Sequence, residues 1–480
     1  MLQPLKKIAS QTAVYGISSI IGRFINYLLF PLHVSIFTRA EYGAVTELYS
    51  IVTLLAVLLT YGMETAYFKF SSEEGKRNSV FNTSFTSITI TTLLFLILGL
   101  LFSSSAASAL KYSGQEEFII YFVIIIALDT LSALPFARLR QENKAKRFAF
   151  IKLGNIGLNV ILNLIVLLVL PKVINGFVPT IGHVFFINLI ASAFTLIMLF
   201  PQIKSVKWSI DNKLLKEILS FSIPLMIAGL AGMINETFDR ISMKYLLPES
   251  SETQSQLGLY GGCYKVAMLM SIFIQAYRFA AEPYFFNATR DKENLKLYAR
   301  STEVFIAICT VIYLAIMLNL ELVFDLFLNE NYIEGMSLVP ILMYANMFLG
   351  IYINVSMWYK LSGRTRFGIY FSFFGAAVTI IALFLLIPKI GIYGGAWATL
   401  ICYGLMALLT FIVGQKQYPI PYSLKKIAFY LLLCPVVYYL STLWSGLSVA
   451  PKMLINAALL AIIIVLIFNI ERKTLLKHAS

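Results

Sequence analysis

The sequence predicts an all-α polytopic membrane protein of about fourteen spans: two six-helix lobes and two further helices at the carboxy terminus. Three observations predict it. Apolar runs of about 20 residues or more recur from end to end, long enough to cross a hydrocarbon core of ~30 Å. Of the 480 residues, 59% are hydrophobic and 13% charged, with mean hydropathy +0.79, where a soluble domain has roughly a quarter charged. The two halves also carry matching dipeptides at a nearly constant offset. A barrel is excluded, because the runs are continuous rather than alternating in and out.

The first six predicted cores are Ala9–Phe30, Ala44–Ala66, Phe81–Phe102, Phe118–Phe136, Phe150–Leu170 and Phe177–Phe200. The next six are Phe221–Leu246, Tyr260–Phe285, Val304–Leu320, Val339–Trp358, Phe367–Ile387 and Gly394–Val413. Ile427–Leu443 and Met453–Phe468 follow. The first core lacks a small-residue cleavage site and reads as an uncleaved anchor. Cys263, Cys309, Cys402 and Cys434 all fall inside apolar spans, read as small buried hydrophobes with no metal or disulfide spacing.

Net charge is +14, and its distribution points to topology rather than nucleic acid. Basic residues crowd alternate connections, among them Lys6 and Lys7, the run from Arg138 to Lys152, and Lys425 and Lys426. Opposite connections hold scattered cations such as Arg39, Lys111 and Lys452, and the stretch from Glu321 to Glu334 has acids alone. By the positive-inside rule both termini are cytoplasmic and the span count is even. Anionic lipid accounts for the basic loops. No connection approaches domain size, so no soluble catalytic or ATP-binding domain is expected.

Five matches tie the halves together. Arg23 pairs with Arg240, Tyr42-Gly43 with Tyr260-Gly261 and Glu64 with Glu282, while Arg147-Phe148 pairs with Arg366-Phe367 and Pro171-Lys172 with Pro388-Lys389. Subtraction gives offsets of 217, 218, 218, 219 and 217. An even number of helices per repeat gives both copies the same orientation, related by a pseudo-two-fold axis along the membrane normal. The expected division is 1–205, 206–415 and a terminal segment 416–480. Such a pair of lobes frames a central cavity.

Charges inside the spans mark where function lies, because a guanidinium at bilayer depth costs several kcal/mol unless it meets water, a partner or an anion. In the first span Thr12, Tyr15, Ser19, Arg23 and Asn26 share one face, and in the eighth Tyr264, Ser271, Gln275, Arg278 and Glu282 do. Arg240 and Lys265 complete the cations, and Glu64, Asp129, Glu236 and Asp239 are the remaining acids. Two pairs have a plain structural alternative: Glu236 with Arg240 and Arg278 with Glu282 stand four apart and can neutralise each other within a helix. Arg23 has no acid at that spacing. Lys265 can snorkel, and Asp129 can bond a neighbouring helix. Arginine suits a diphosphate through its two parallel hydrogen bonds, and the acids suit a coupling H⁺ or Na⁺.

Other chemistry is absent from the sequence. There is no GxxxxGK[ST] and no HExxH, and His33, His183 and His478 are scattered. No catalytic residue, metal site or bound cofactor is expected. Gly391, Gly394 and Gly395 read as a turn with close helix packing. The aromatics read as mostly lipid-facing or interfacial.

The opening run from Leu5 to Phe70, "LKKIASQTAVYG…ETAYFKF", resembles the amino-terminal signature of bacterial oligosaccharide flippases. These belong to the multidrug/oligosaccharidyl-lipid/polysaccharide exporter superfamily. "FDRISMKYLLP" with "LGLYGGCYKVAML", Phe238–Pro248 and Leu257–Leu269, resembles the start of that family's second lobe, and "IGIYGGAWATLICYG", Ile390–Gly404, its twelfth helix. The resemblance implies a V-shaped cationic cavity and translocation of a polyprenyl-diphosphate-linked oligosaccharide from the inner to the outer face of the bacterial cytoplasmic membrane, without ATP. It implies cell-surface polysaccharide or lipopolysaccharide synthesis as the setting, with membrane lipids and polysaccharide-assembly proteins as further partners. Arg23 corresponds to the family's first-helix arginine. Arg240, Arg278, Lys265, Asn26 and Gln275 would join it on the substrate, and Glu64, Asp129, Glu236, Asp239 and Glu282 would serve ion coupling. Alternatives are a cation-coupled drug exporter or a peptidoglycan-precursor flippase of the same superfamily. From another class comes an integral-membrane glycosyltransferase or polymerase, which typically needs a sizeable outer loop that this chain lacks.

Overall fold

The computed structural model describes residues 22, 24, 25, 27–72, 75–248, 250, 252–286 and 292–479. Among them every regular element is helical. A short apolar helix, α1 (Tyr27–Ile36), is followed by thirteen long and apolar enough to cross a membrane. These are α2 (Arg39–Phe70), α3 (Arg77–Leu101), α4 (Glu116–Gln141), α5 (Ala145–Val173), α6 (Ile181–Ile203) and α7 (Asn212–Leu246). Then come α8 (Thr253–Phe286), α9 (Lys292–Met317), α10 (Leu338–Leu361), α11 (Arg366–Ile390), α12 (Ile392–Gln417), α13 (Leu424–Trp444) and α14 (Val449–Ala479). Each predicted core from the second onward has its helix, with ends displaced by a few residues. The first core, Ala9–Phe30, lies largely outside the described residues. The protein is a multi-pass, all-α membrane protein.

Local chemistry sets the ends and breaks. Thr38 starts α2 with a capping box: its amide donates to Glu41 Oε2 at 2.9 Å, and the Glu41 amide donates to its hydroxyl at 3.3 Å. His183 plays the reciprocal part for α6, its Nδ1 accepting from the Thr180 amide at 3.0 Å. Inside α2 the backbone turns left-handed at Tyr61 (φ 31°) and Gly62 (φ 70°), dividing it into Arg39–Thr60 and Met63–Phe70. Only glycine suits the second position, because a Cβ there would also lie 2.6 Å from the Ser222 carbonyl oxygen of α7. In α5 a π turn, Ile165–Val169, follows the buried Asn163, whose carbonyl pairs with His33 Nε2 at 3.1 Å. Between α11 and α12, Gly391 has φ 61° and a Cβ on Gly394 would meet the Ile387 nitrogen at 2.5 Å, so these glycines make the expected turn.

Contacts divide the chain into two units. One runs to Tyr245 and takes in the segment ending at Gly258; the other is Leu246–Pro248 with everything from Leu259. α7 and the first turns of α8 thus pack with the first half of the chain.

Each unit has an aromatic core, which corrects the expectation that the aromatics mostly face lipid. In the first, Phe122 and Phe185 lie 4.7 Å apart and Tyr49 stands edge-on to Phe122 at 5.2 Å. In the second, Trp358, Tyr298 and Phe305 are among the most deeply buried side chains. Rings fill the gaps between helices, and the Tyr430 hydroxyl donates to Glu471 at 2.6 Å. Matched positions of the repeat do matched work. Phe148 opens α5 against Phe136 of α4 at 5.2 Å, and Phe367 opens α11 against Trp358 of α10 at 5.0 Å. Within the second unit, Lys426 of α13 lies 3.3 Å from both Glu303 of α9 and Glu471 of α14, tying the last two helices to the bundle. All four cysteines are free and buried, as expected.

Candidate functional site

In the first unit, an acid interrupts a well-packed helix. The apolar window of α4 is 61% buried, yet Asp129 on it is exposed. Ser192 of α6, Lys152 of α5 and Tyr49 of α2 lie within the field of its carboxylate. Around it, Asn188 donates to the Tyr49 hydroxyl at 2.8 Å, and Asn155 donates to the Ala191 carbonyl at 2.7 Å and to Thr195 Oγ1 at 2.9 Å. Four helices thus bring one carboxylate, one ammonium and a set of neutral polar groups together. An accessible carboxylate with neutral oxygens nearby can accept a proton or a monovalent cation.

On α7 the Glu236–Arg240 side-chain pair, the structural alternative that the spacing offers, is not formed. Arg240 meets the carboxylate of its neighbour Asp239, Nε to Oδ1 at 3.4 Å, and donates to Glu236 only through the backbone carbonyl. Asp239 is buried and also accepts the Arg240 amide at 2.8 Å, whereas the Glu236 side chain is exposed. The reason is local: Glu236 points out of the packed face, and Asp239 is the acid left near the guanidinium.

In the second unit, α8 has an apolar window that is 67% buried, yet carries Arg278 exposed with Lys265 and Gln275 half-buried. Ser271 on the same face donates to Asn346 Oδ1 of α10 at 3.0 Å, orienting the stripe. Arg23 and Asn26 lie outside the described residues, as does the side chain of Glu282.

Glu64 follows the break in α2 and forms an ion pair with Arg140 at the end of α4, whose guanidinium also lies 5.0 Å from the Phe68 ring centroid. Two further charges escaped the sequence reading. Glu47 of α2 is fully buried against Lys244 of α7, Oε2 to Nζ at 2.8 Å. Both fall inside predicted apolar cores, so the energetic argument applied to Arg23 could have found each. Their partnership, across 197 positions, has no sequence signal. Among the described residues no group of three His, Cys, Asp or Glu is placed to hold a metal ion.

The sequence profile of a family described as polysaccharide biosynthesis protein matches residues 8–289, over half of the chain. The chain belongs to this family. A relative named Lsg locus putative protein 1, from Haemophilus influenzae, is 24% identical over 292 residues, covering 60% of this chain and 68% of its own length. Among solved structures, lipid II flippase MurJ in an inward closed conformation superposes with TM-score 0.72 at 14% identity, covering 96% of this chain and 99% of that one. An inward-facing multidrug resistance MATE family transporter of the MOP superfamily gives TM-score 0.64 at 16% identity, over 85% and 94%. This polysaccharide biosynthesis protein therefore has the MOP-superfamily fold that its motifs resemble.

Proposed function

We propose that this protein flips a polyprenyl-diphosphate-linked oligosaccharide from the cytoplasmic to the outer face of the cytoplasmic membrane, by alternating access and without ATP. The observation that carries the reading is Arg278: an exposed arginine on one of the most buried spanning helices of a polysaccharide biosynthesis protein. Such a group is stable at that position if it meets water, a partner or an anion, and its planar fork matches two oxygens of a diphosphate. Lys265 and Gln275, on the same helix, would add a point charge and an amide for phosphate or sugar hydroxyls. Arg240, beside Asp239, would join them on the substrate. Arg23 and Asn26 keep the roles implied by the family resemblance. The lipid tail stays in the bilayer, so the protein shields only the polar head.

Energy would enter at Asp129. An accessible carboxylate near Ser192 and Lys152 would gain or lose H⁺ or Na⁺ as its surroundings change. Glu64, held by Arg140, and Asp239, held by Arg240, are less free to do so in this conformation. Both termini would be cytoplasmic.

The test is delivery of the glycan to the outer face in cells expressing Arg278→Ala or Arg278→Lys at normal levels. Alanine should abolish most delivery, and lysine, which keeps charge but loses the fork, should retain part. Unchanged delivery with alanine would remove Arg278 from the path. Drug resistance on expression with no glycan phenotype would replace the reading with drug export. A glycan that changes structure rather than side in liposomes would indicate an enzyme.

A further inference from the structure

We infer that Glu47 and Lys244 form a latch that closes the outer end of the transport path, and that the outer half of α7 swings on Pro224 when it opens. This rests on the transport reading above. By the charge pattern, the amino end of α2, the carboxy end of α7, the amino end of α8 and the α3–α4 connection all lie outside, and all four meet here. Glu47 is 0% exposed and Lys244 5%. Lys244 Nζ donates to Glu47 Oε2 at 2.8 Å and to the Leu110 carbonyl at 2.5 Å, and lies 3.6 Å from the Tyr112 ring centroid. The Tyr112 hydroxyl donates to the same Glu47 oxygen at 2.6 Å and accepts from Gln254 Nε2 of α8 at 3.1 Å. Beside this node α2 and α8 touch backbone to backbone: a Cβ on Gly43 would lie 2.2 Å from the Gln254 carbonyl oxygen.

The rest of α7 is built for movement. Its cytoplasmic part is anchored to α2, with Ser222 against Gly62, Phe221 6.1 Å from Phe70, and Lys69 over the Phe221 ring at 3.7 Å. Pro224 follows at once, inside a 35-residue helix. It cannot donate to the carbonyl four residues back, so the helix bends most readily there. Over its apolar window only 17% of α7 is buried, against 67% for α8. Beyond Pro224 the buried residues of α7 are Ala231 and Met243 among Asn235, Thr237, Asp239, Ser242 and Lys244, so polar contacts, this ion pair foremost, tie the outer half. A buried pair suits this task, because the cost of drying two charges nearly offsets their attraction. Closed and dry, the charges pair; open and wet, water takes both.

The measurement is the distance between spin labels at two exposed positions, Ser105 in the α3–α4 connection and Tyr245 at the outer end of α7, in purified full-length protein in nanodiscs. The four native cysteines are buried and label slowly. The wild type should show a dominant short distance. Glu47→Gln and Lys244→Met should each add a longer population, and exchanging the charges (Glu47→Lys with Lys244→Glu) should restore the short one. Adding Pro224→Ala to Lys244→Met should suppress the long population, which a merely structural ion pair has no reason to show. Unchanged distances in the single variants overturn the latch. If those variants do not fold, Tyr112→Phe, which keeps the ring and removes one hydrogen bond, reads the same distance: a partial shift supports the latch and no shift overturns it. Distances that shift as expected in a protein that delivers no glycan would uphold the latch and sink the flippase reading. Normal delivery with fixed distances would do the reverse.

Discussion

Replacing Gly258 by alanine adds one methyl group where α8 crosses α2. That methyl carbon would stand 1.7 Å from the Arg39 carbonyl oxygen, 2.7 Å from the carbonyl carbon and 3.0 Å from the Gly43 nitrogen. A non-bonded carbon needs roughly 3.5 Å, so the helices must part by about 1.5 Å or more. The obstructing atoms are backbone, and no rotamer relieves the clash. Overpacking of this kind costs about 1–3 kcal/mol, and a backbone clash belongs at the upper end. In a circular-dichroism melt of the solubilised protein, the midpoint should fall by roughly 3 °C. Gly232→Ala in α7 is the control. Nothing lies within 4 Å of its added Cβ, and alanine is the better helix former by ~1 kcal/mol. Its midpoint should hold or rise. Equal behaviour of the two variants would refute the close crossing of α2 and α8.

Asp129→Asn keeps the size and polarity of the side chain and removes the titratable charge; in proteoliposomes, flipping driven by an ion gradient should be lost while the melt is unchanged, and gradient-driven flipping at the wild-type rate would exclude Asp129 from coupling. Glu64→Gln should move stability by no more than ~1 kcal/mol, because the Glu64 and Arg140 side chains are 42% and 33% exposed, so a midpoint drop of many degrees would contradict a solvated pair. Outside the spans, burial raises the Glu142 carboxyl, but Lys144 at 2.7 Å and Arg138 at 2.9 Å outweigh it and hold it below the ordinary glutamate value. Its contribution is therefore complete above the unfolded value of ~4.3 and is lost as pH falls through the lower folded value. Hydrogen exchange across the α4–α5 connection, corrected for intrinsic rate, should accelerate only in that acid window; protection lost nearer neutrality would assign it to another group.

The spans were legible because one physical requirement, an apolar length matched to the hydrocarbon core, is written locally in each segment. The repeat was legible in part: Phe148 and Phe367 occupy matched places against Phe136 and Trp358, although those partners share no motif. Side-chain partnership was less legible. Glu236 and Arg240 have ideal helical spacing, but spacing does not say which carboxylate points away from the packed face, and Asp239 took the guanidinium. Arg140 reads as an orientation signal among other basic residues until α2, broken at Gly62, brings Glu64 to it. The aromatics looked suited to lipid on composition alone, yet the same rings fill the interior once helices pack.

By itself the sequence determined the solvent this chain folds in, the number and order of its helices, and the energetic anomaly of charges such as Arg240, Arg278 and Asp129. Each follows from composition over about 20 residues, the scale on which a bilayer selects. Tertiary structure decided which anomalies are resolved by partners. Glu47 and Lys244 are separated by 197 positions and joined at 2.8 Å, because α2 and α7 approach only after the whole bundle has assembled. It also decided that the same methyl group is harmless at Gly232 and obstructive at Gly258, since a glycine's neighbours across a helix crossing are set by packing and not by its own segment.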